Sequence, residues 1–177
     1  MIKYSIRIGN SNELWFLKSM LYEAVTWDHK KCIHEQKEIL QSPDILKIMK
    51  DWGNRKGDIF LICQKDDGKL LGSVWYRFWK NNNHSYGFVD ENTPEIGIGV
   101  VKEFRRFGIG TELMNQIIKF SKNKGICSLS LSVESNNPAI YLYNKMGFKK
   151  QFLLGNSWTM LKILEIYLTY NKKFISF

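Results

Sequence analysis

Cysteine, histidine and proline are scarce, at three copies each in 177 residues. Cys32, Cys63 and Cys127 are odd in number, widely spaced and without a Cys-x-x-Cys pair, and no histidine cluster completes a site with them. A disulfide framework and a zinc site are thereby excluded, and no metal is expected. Cys63 and Cys127 fall in strand-like runs, which predicts buried thiols in a reduced compartment. His29 and His34 read as exposed residues after a first helix rather than as ligands. No apolar run approaches the length needed to cross a bilayer. The N-terminal MIKYSIRIGNSNELWFLK lacks the basic start, apolar stretch and cleavage site of a secretory leader. The expectation is a cytoplasmic protein with no membrane association. Repeats and Pro/Gly-rich linkers are missing too, so the chain reads as a single domain over 1–170 with a C-terminal tail at 171–177.

What is present is ordinary globular usage, 44% hydrophobic and 24% charged, with a net charge of +9. That charge admits an anionic partner or cofactor. The lysines are dispersed, however, with no dense basic block and no interleaved aromatics, so no nucleic-acid partner is expected.

Periodicity orders the elements. Tyr4 to Ile8 alternates as a strand, and Asn12 to Thr26 carries Leu14, Leu17, Met20, Leu21 and Val25 at helical spacing. Ser42-Pro43 opens a helix through Trp52. Ile59 to Gln64 and Leu70 to Trp79 read as a hairpin about Asp67-Gly68. Lys80 to Thr93 is a long loop. After it come a strand at Glu95 to Val101, a helix at Gly108 to Lys124, a strand at Ser128 to Val133 and a helix at Pro138 to Lys145. Strands at Phe148 to Leu154 and Trp158 to Leu164 close the pattern. The order β-α-α-β-β-β-α-β-α-β-β is that of an α/β protein, a mixed sheet with helices on its faces. Ligands of such sheets sit beyond carboxyl ends of strands, which points to the segments after Val101 and Val133.

The run from Val100 to Thr111 joins an apolar strand to an amphipathic helix. The first amides of a helix lack intrahelical partners and face the positive end of its dipole, so a diphosphate suits them. Gly108 and Gly110 permit close approach, and Arg105 and Arg106 add positive potential. The run is neither a dinucleotide Gly-x-Gly-x-x-Gly nor a triphosphate loop ending in Lys-Ser/Thr. It resembles the Arg/Gln-x-x-Gly-x-Gly/Ala acetyl-coenzyme A loop of the GNAT superfamily of N-acetyltransferases, with Arg105, Gly108 and Gly110 in the motif positions. A second run, Asn136 to Phe148, resembles that superfamily's Asn-x-x-Ala-x-x-Leu-Tyr-x-Lys-x-Gly-Phe, matching at Asn136, Ala139, Leu142, Tyr143, Lys145, Gly147 and Phe148.

The resemblance is sharpest from Glu95 to Lys149. It implies a central, mostly antiparallel, twisted sheet flanked by helices and splayed at the cofactor cleft. It implies acetyl-coenzyme A as co-substrate, its pyrophosphate held by backbone amides of Arg106, Phe107, Gly108, Ile109, Gly110 and Thr111. Ile98, Gly99 and Val100 would pair with the pantetheine arm, and Asn136, Ala139 and Tyr143 complete the cofactor set. The activity implied is acetyl transfer to a primary amine by direct attack in a ternary complex. A protonated alkyl amine, with a pKa near ~10, needs a base. Glu95 resembles the family's catalytic glutamate, acting directly or through water, with Glu134 as the alternative. Tyr143 holds the position of the acid that protonates the departing sulfur; neighbouring Tyr141 has no match. Backbone amides near Val100 would steady the oxyanion.

The acceptor stays open among small amines, antibiotics, polyamines, protein N-termini and lysine side chains. Core packing is the expected role of most of Trp27, Trp52, Trp75, Trp79 and Tyr86, and an aromatic pocket around a cationic amine is the alternative. Asp90 or Glu91 either holds an ammonium or faces water. A non-catalytic acetyl-coenzyme A sensor is the alternative function. The apolar final strand and Ile163 to Phe177 suggest a homodimer.

Overall fold

The structure, a computed structural model, describes residues 2–28 and 36–165. The tail at 171–177, Cys32, His29 and His34 lie outside the described residues.

Strand β1 (Tyr4–Ile8) leads through a 3-10 turn at Ser11–Glu13 into helix α1 (Leu14–Val25), with Asn10 and Glu13 forming a capping box. Helices α2 (Gln36–Gln41) and α3 (Pro43–Met49) precede the hairpin of β2 (Ile59–Lys65) and β3 (Leu70–Arg77). Strand β4 (Glu95–Val100), helix α4 (Ile109–Asn123), strand β5 (Ser128–Glu134) and helix α5 (Ala139–Lys145) follow. Strands β6 (Lys149–Leu154) and β7 (Ser157–Ile163) end the described order.

The strands form one sheet in the order β1-β2-β3-β4-β5-β7-β6, antiparallel throughout except for the β4–β5 pair. This is the mixed α/β architecture the order of elements implied. Side-chain alternation divides the core between the two faces. Val74, Tyr76, Ile96, Leu129, Leu131 and Met160 pack with Leu113, Met114 and Ile117 of α4. On the other face, Trp75 and Ile62 pack with Phe16, Leu17, Met20 and Leu21 of α1.

Three expectations change. Helix α2 was not anticipated. The helix from Pro43 stops at Met49 rather than Trp52, because Lys50 turns extended and Asp51 adopts a φ of 55°. Arg77, 1% exposed, draws the carbonyl oxygens of Ile48 and Lys50 at 2.7 and 2.8 Å and so claims them from the helix. Cys63 is buried as expected, but Cys127 is exposed. Cys127 sits one residue before β5, where Ile126 takes the inward position.

Candidate functional site

The parallel strands β4 and β5 meet at a single pair, Glu95 opposite Ser130, with the Ser130 amide donating to the Pro94 carbonyl at 3.1 Å. Beyond that pair they diverge, and the β5-facing edge of Ile96–Val100 borders a cleft instead of a strand. Two contiguous cavities fill the cleft, of about 300 and 360 Å³. Both are lined by Ala24, Trp27, Ile96, Gly97, Ser132, Val133 and Asn137, so these residues form their common wall.

The larger cavity reaches the turn before α4. Arg106 and Gly108 both have positive φ, 69° and 84°. For Arg106 this costs on the order of 1 kcal/mol or more, a strain that has to be held by its surroundings. Two left-handed residues so close together turn successive amides toward one side, the geometry of an anion nest. Among the described residues, no backbone carbonyl accepts from the amides of 106–111; the helical ladder starts with Glu112 donating to Gly108 at 3.1 Å. This row of free donors at the head of a 15-residue helix is chemically suited to a diphosphate.

The side chains of the turn divide their roles. Arg105 and Arg106 line the cleft, but the Arg105 guanidinium bonds the Glu23 carboxylate at 2.6 Å and the Val100 carbonyl at 3.1 Å. Arg105 therefore ties the end of β4 to α1 and sets the width of the cleft mouth. Phe107 points outward, 61% exposed, and Ile109 is buried in the core under α4, so each has only its amide to offer the turn. Ile98, Gly99, Val100, Gly110, Ala139 and Tyr143 line the larger cavity; Asn136 is exposed and Asn137 lines the cleft. The Asn137 Oδ1 accepts from the Ala139 amide at 2.8 Å, which fixes it at the start of α5. The motif register pointed to Asn136, whereas the Asn-Pro capping signal one residue later marks Asn137.

Tyr143, 8% exposed, sits edge-on to Phe148 with centroids 6.2 Å apart. Burial pushes its phenol up to about 12, so it keeps its proton at neutral pH. Tyr141 is 80% exposed and points away.

Glu95 lines the smaller cavity. The loop between β3 and β4 folds over this face of the sheet: Thr159 donates to the Tyr86 carbonyl at 3.0 Å, and the Gly87 amide donates to Glu95 Oε1 at 2.9 Å. A side chain at 87 would sit 2.7 Å from that oxygen and from the Leu131 backbone, so glycine is needed for the approach. Glu95 Oε2 has no hydrogen-bond partner among the described residues. Burial raises the Glu95 carboxyl to about 7, against the Gly87 amide, the Ser85 and Trp79 side chains and Lys47, which all favour the charged form. A carboxyl at that value is half-ionised at neutral pH, as a general base requires.

Trp27, Trp75, Trp79 and Tyr86 line this cavity, and Trp75 also packs in the core against α1. Trp52 does not line it; it stacks beneath the Arg77 guanidinium at 4.6 Å and lies edge-on to Phe60. Asp90 and Glu91 do not line this cavity either. Asp90 braces the loop through the Asn92 amide and the Thr93 hydroxyl, and Glu91 pairs with Lys80 at 2.7 Å. Glu134 lines the cavity together with Glu95.

Known proteins share the sequence profile and the fold. The profile of the Acetyltransferase (GNAT) family matches residues 20–148. A mycothiol acetyltransferase from Arthrobacter sp. (strain FB24) is 26% identical over 121 residues, 66% of this chain and 34% of that protein. An N-alpha-acetyltransferase from Sulfurisphaera tokodaii is 43% identical over 89 residues, 48% of this chain and 53% of that protein. The matched regions thus span about a third and about half of these relatives. Among solved structures, the PaiA N-acetyltransferase from Thermoplasma acidophilum in complex with coenzyme A superposes with a TM-score of 0.67 at 23% identity, covering 92% of this chain and 99% of that one. A ribosomal-protein-alanine N-acetyltransferase from Brucella melitensis has a TM-score of 0.62 at 21% identity, covering 90% and 99%.

Proposed function

The chain belongs to the acetyltransferase (GNAT) family, and from that membership we propose that it transfers an acetyl group from acetyl-coenzyme A to a primary amine by direct attack in a ternary complex. The observation that carries the proposal is the row of amides at 106–111 that donate to no backbone carbonyl among the described residues, opening onto a cleft that runs past Tyr143 to Glu95. Acetyl-coenzyme A supplies the acetyl group as an activated thioester. The turn holds its diphosphate, and the open edge of β4 aligns the arm along Ile98–Val100.

Glu95 accepts one proton from the bound ammonium at Oε2, leaving a neutral nucleophile. As the nitrogen–carbon bond forms and the carbon–sulfur bond breaks, the amine sheds a second proton. Tyr143 delivers its proton to sulfur, and the amine's second proton passes through water in the open cleft to restore the phenol, so the products are the amide and a thiol. The Tyr143 phenol at about 12 would be a poor acid toward an exposed thiol, whose pKa is near ~8.5. In an apolar site the comparison changes: burial lifts the Cys63 thiol of this same chain to about 11. Burial in the cleft would raise the departing thiol in the same direction and narrow its gap to Tyr143.

A thiolate leaves readily even without help, so the phenol contributes less than a base does. Tyr143→Phe is expected to lower kcat by about 10–100-fold with coenzyme A affinity kept within about threefold. An unchanged kcat removes Tyr143 from the acid role. The proposal itself is tested by calorimetric coenzyme A binding together with thiol release in the presence of amines. Binding without release for any amine identifies a sensor instead.

A further inference from the structure

Resting on the acetyltransferase reading, we infer that the acceptor is a small primary amine on an uncharged apolar or aromatic body, held between Glu95 and the tryptophan wall of the smaller cavity. At about 300 Å³ this cavity lies at the lower end of the range for small-molecule sites. Its apolar wall includes Trp27, Trp75 and Trp79, and Ser85, Ser132, Asn137 and Ser157 add neutral polar groups beside Glu95. Two buried polar atoms among them lack hydrogen-bond partners within the described residues, Glu95 Oε2 and Trp79 Nε1. Glu95 Oε2 calls for a donor such as an ammonium, and the indole N–H lies beside the same carboxylate, which it favours in its charged form.

The charge inventory narrows the class. Arg77 is the one cation lining the cavity among the described residues, and its guanidinium is spent. It donates to Asp58 twice, at 2.8 and 2.6 Å, and to the carbonyls of Ile48 and Lys50. Lys47 lines the adjoining groove on α3, from which its charge reaches Glu95, but it does not line this cavity. A carboxylate or phosphate on the acceptor would therefore be desolvated next to Glu95 and Glu134 without a cation to meet it. A second ammonium would find Glu134 and only neutral hydroxyl and amide groups beside it. An amine attached to an aryl or alkyl group satisfies the one acidic end and buries the rest, with indole faces favourable to its cationic form.

The test compares phenethylamine with phenylalanine, which adds only a carboxylate, and with spermidine and an alanine-headed peptide, by thiol release from acetyl-coenzyme A. The expected kcat/KM for phenethylamine exceeds that for phenylalanine by about 100-fold and those for the other two by about 10-fold or more. Preference for any of the three, or no turnover of phenethylamine by protein that binds coenzyme A, overturns the acceptor class and leaves the acetyltransferase reading standing when another amine reacts. Failure to bind coenzyme A overturns that reading and this inference together. Val25→Lys, at the 37% exposed end of α1, places a cation in the wall. It should move the phenethylamine-to-phenylalanine ratio about 10-fold or more toward the acid, with coenzyme A affinity within about twofold. An unmoved ratio in a folded variant that binds coenzyme A overturns the proposed placement.

Discussion

Glu95→Gln is expected to lower kcat at pH 7.5 by about 10²–10⁴-fold and to abolish the acidic limb of the pH profile. The sign follows from burial, which raises the carboxyl to about 7 and makes it the form-limiting group on the acid side. Below that value the base is protonated, so wild-type kcat should fall about tenfold per pH unit. Glutamine keeps the acceptor oxygen for the Gly87 amide but takes no proton. The same substitution should stabilise the fold at alkaline pH. In the unfolded chain this carboxyl ionises near its ordinary value of 4.5, whereas in the folded chain it carries a charge above about 7 at a desolvation cost. Stability of the wild type therefore declines as pH rises from 4.5 through 7, and Glu95→Gln should be more stable by roughly 1–3 kcal/mol at pH 8, with the difference vanishing toward pH 4. Denaturant melts at the two pH values check this. A retained acidic limb would assign the base to Glu134 or to water.

The second large effect is structural. Asp58→Ala should destabilise the protein by about 3–5 kcal/mol, because it leaves a buried guanidinium without its counter-ion. Asp58 and Arg77 are each 1% exposed and joined by two hydrogen bonds. At this chain length the melting temperature should drop by roughly 10 °C. The loss is not confined to stability. Arg77 also holds the carbonyls that end α3, and Ile48 of α3 is a wall of the acceptor cavity. In the surviving folded protein, KM for the amine should rise while coenzyme A affinity, on the proposed placement at the distant turn of 106–111, stays put. A melt within about 1 °C of wild type would show the ion pair to be replaceable.

The origin of that pair explains where sequence reasoning stopped. The strand Leu70–Arg77 was legible as an apolar, β-rich run beside the Asp67-Gly68 turn, and helix α4 because its apolar residues repeat every three to four positions. The end of α3 was not, since it is set by Arg77, 27 and 29 residues further along the chain. Cys127 misled for a local reason: it lies in an apolar run whose inward position belongs to Ile126. Glu95 and the turn stood out as parts of motifs. The Gly87 amide that fixes Glu95 did not, because a single hydrogen bond from a loop leaves no periodicity to read. Ser132 could have been found by alternation, between the buried Leu131 and Val133, as a residue facing the cleft.

Amide chemical shifts recorded during a coenzyme A titration test the central claim most directly. The amides of Arg106 to Thr111 have no backbone acceptor among the described residues, and the account predicts that they show the largest changes, followed by Ile98 to Val100. Saturable binding that left these signals in place, and moved those of another surface instead, would contradict it.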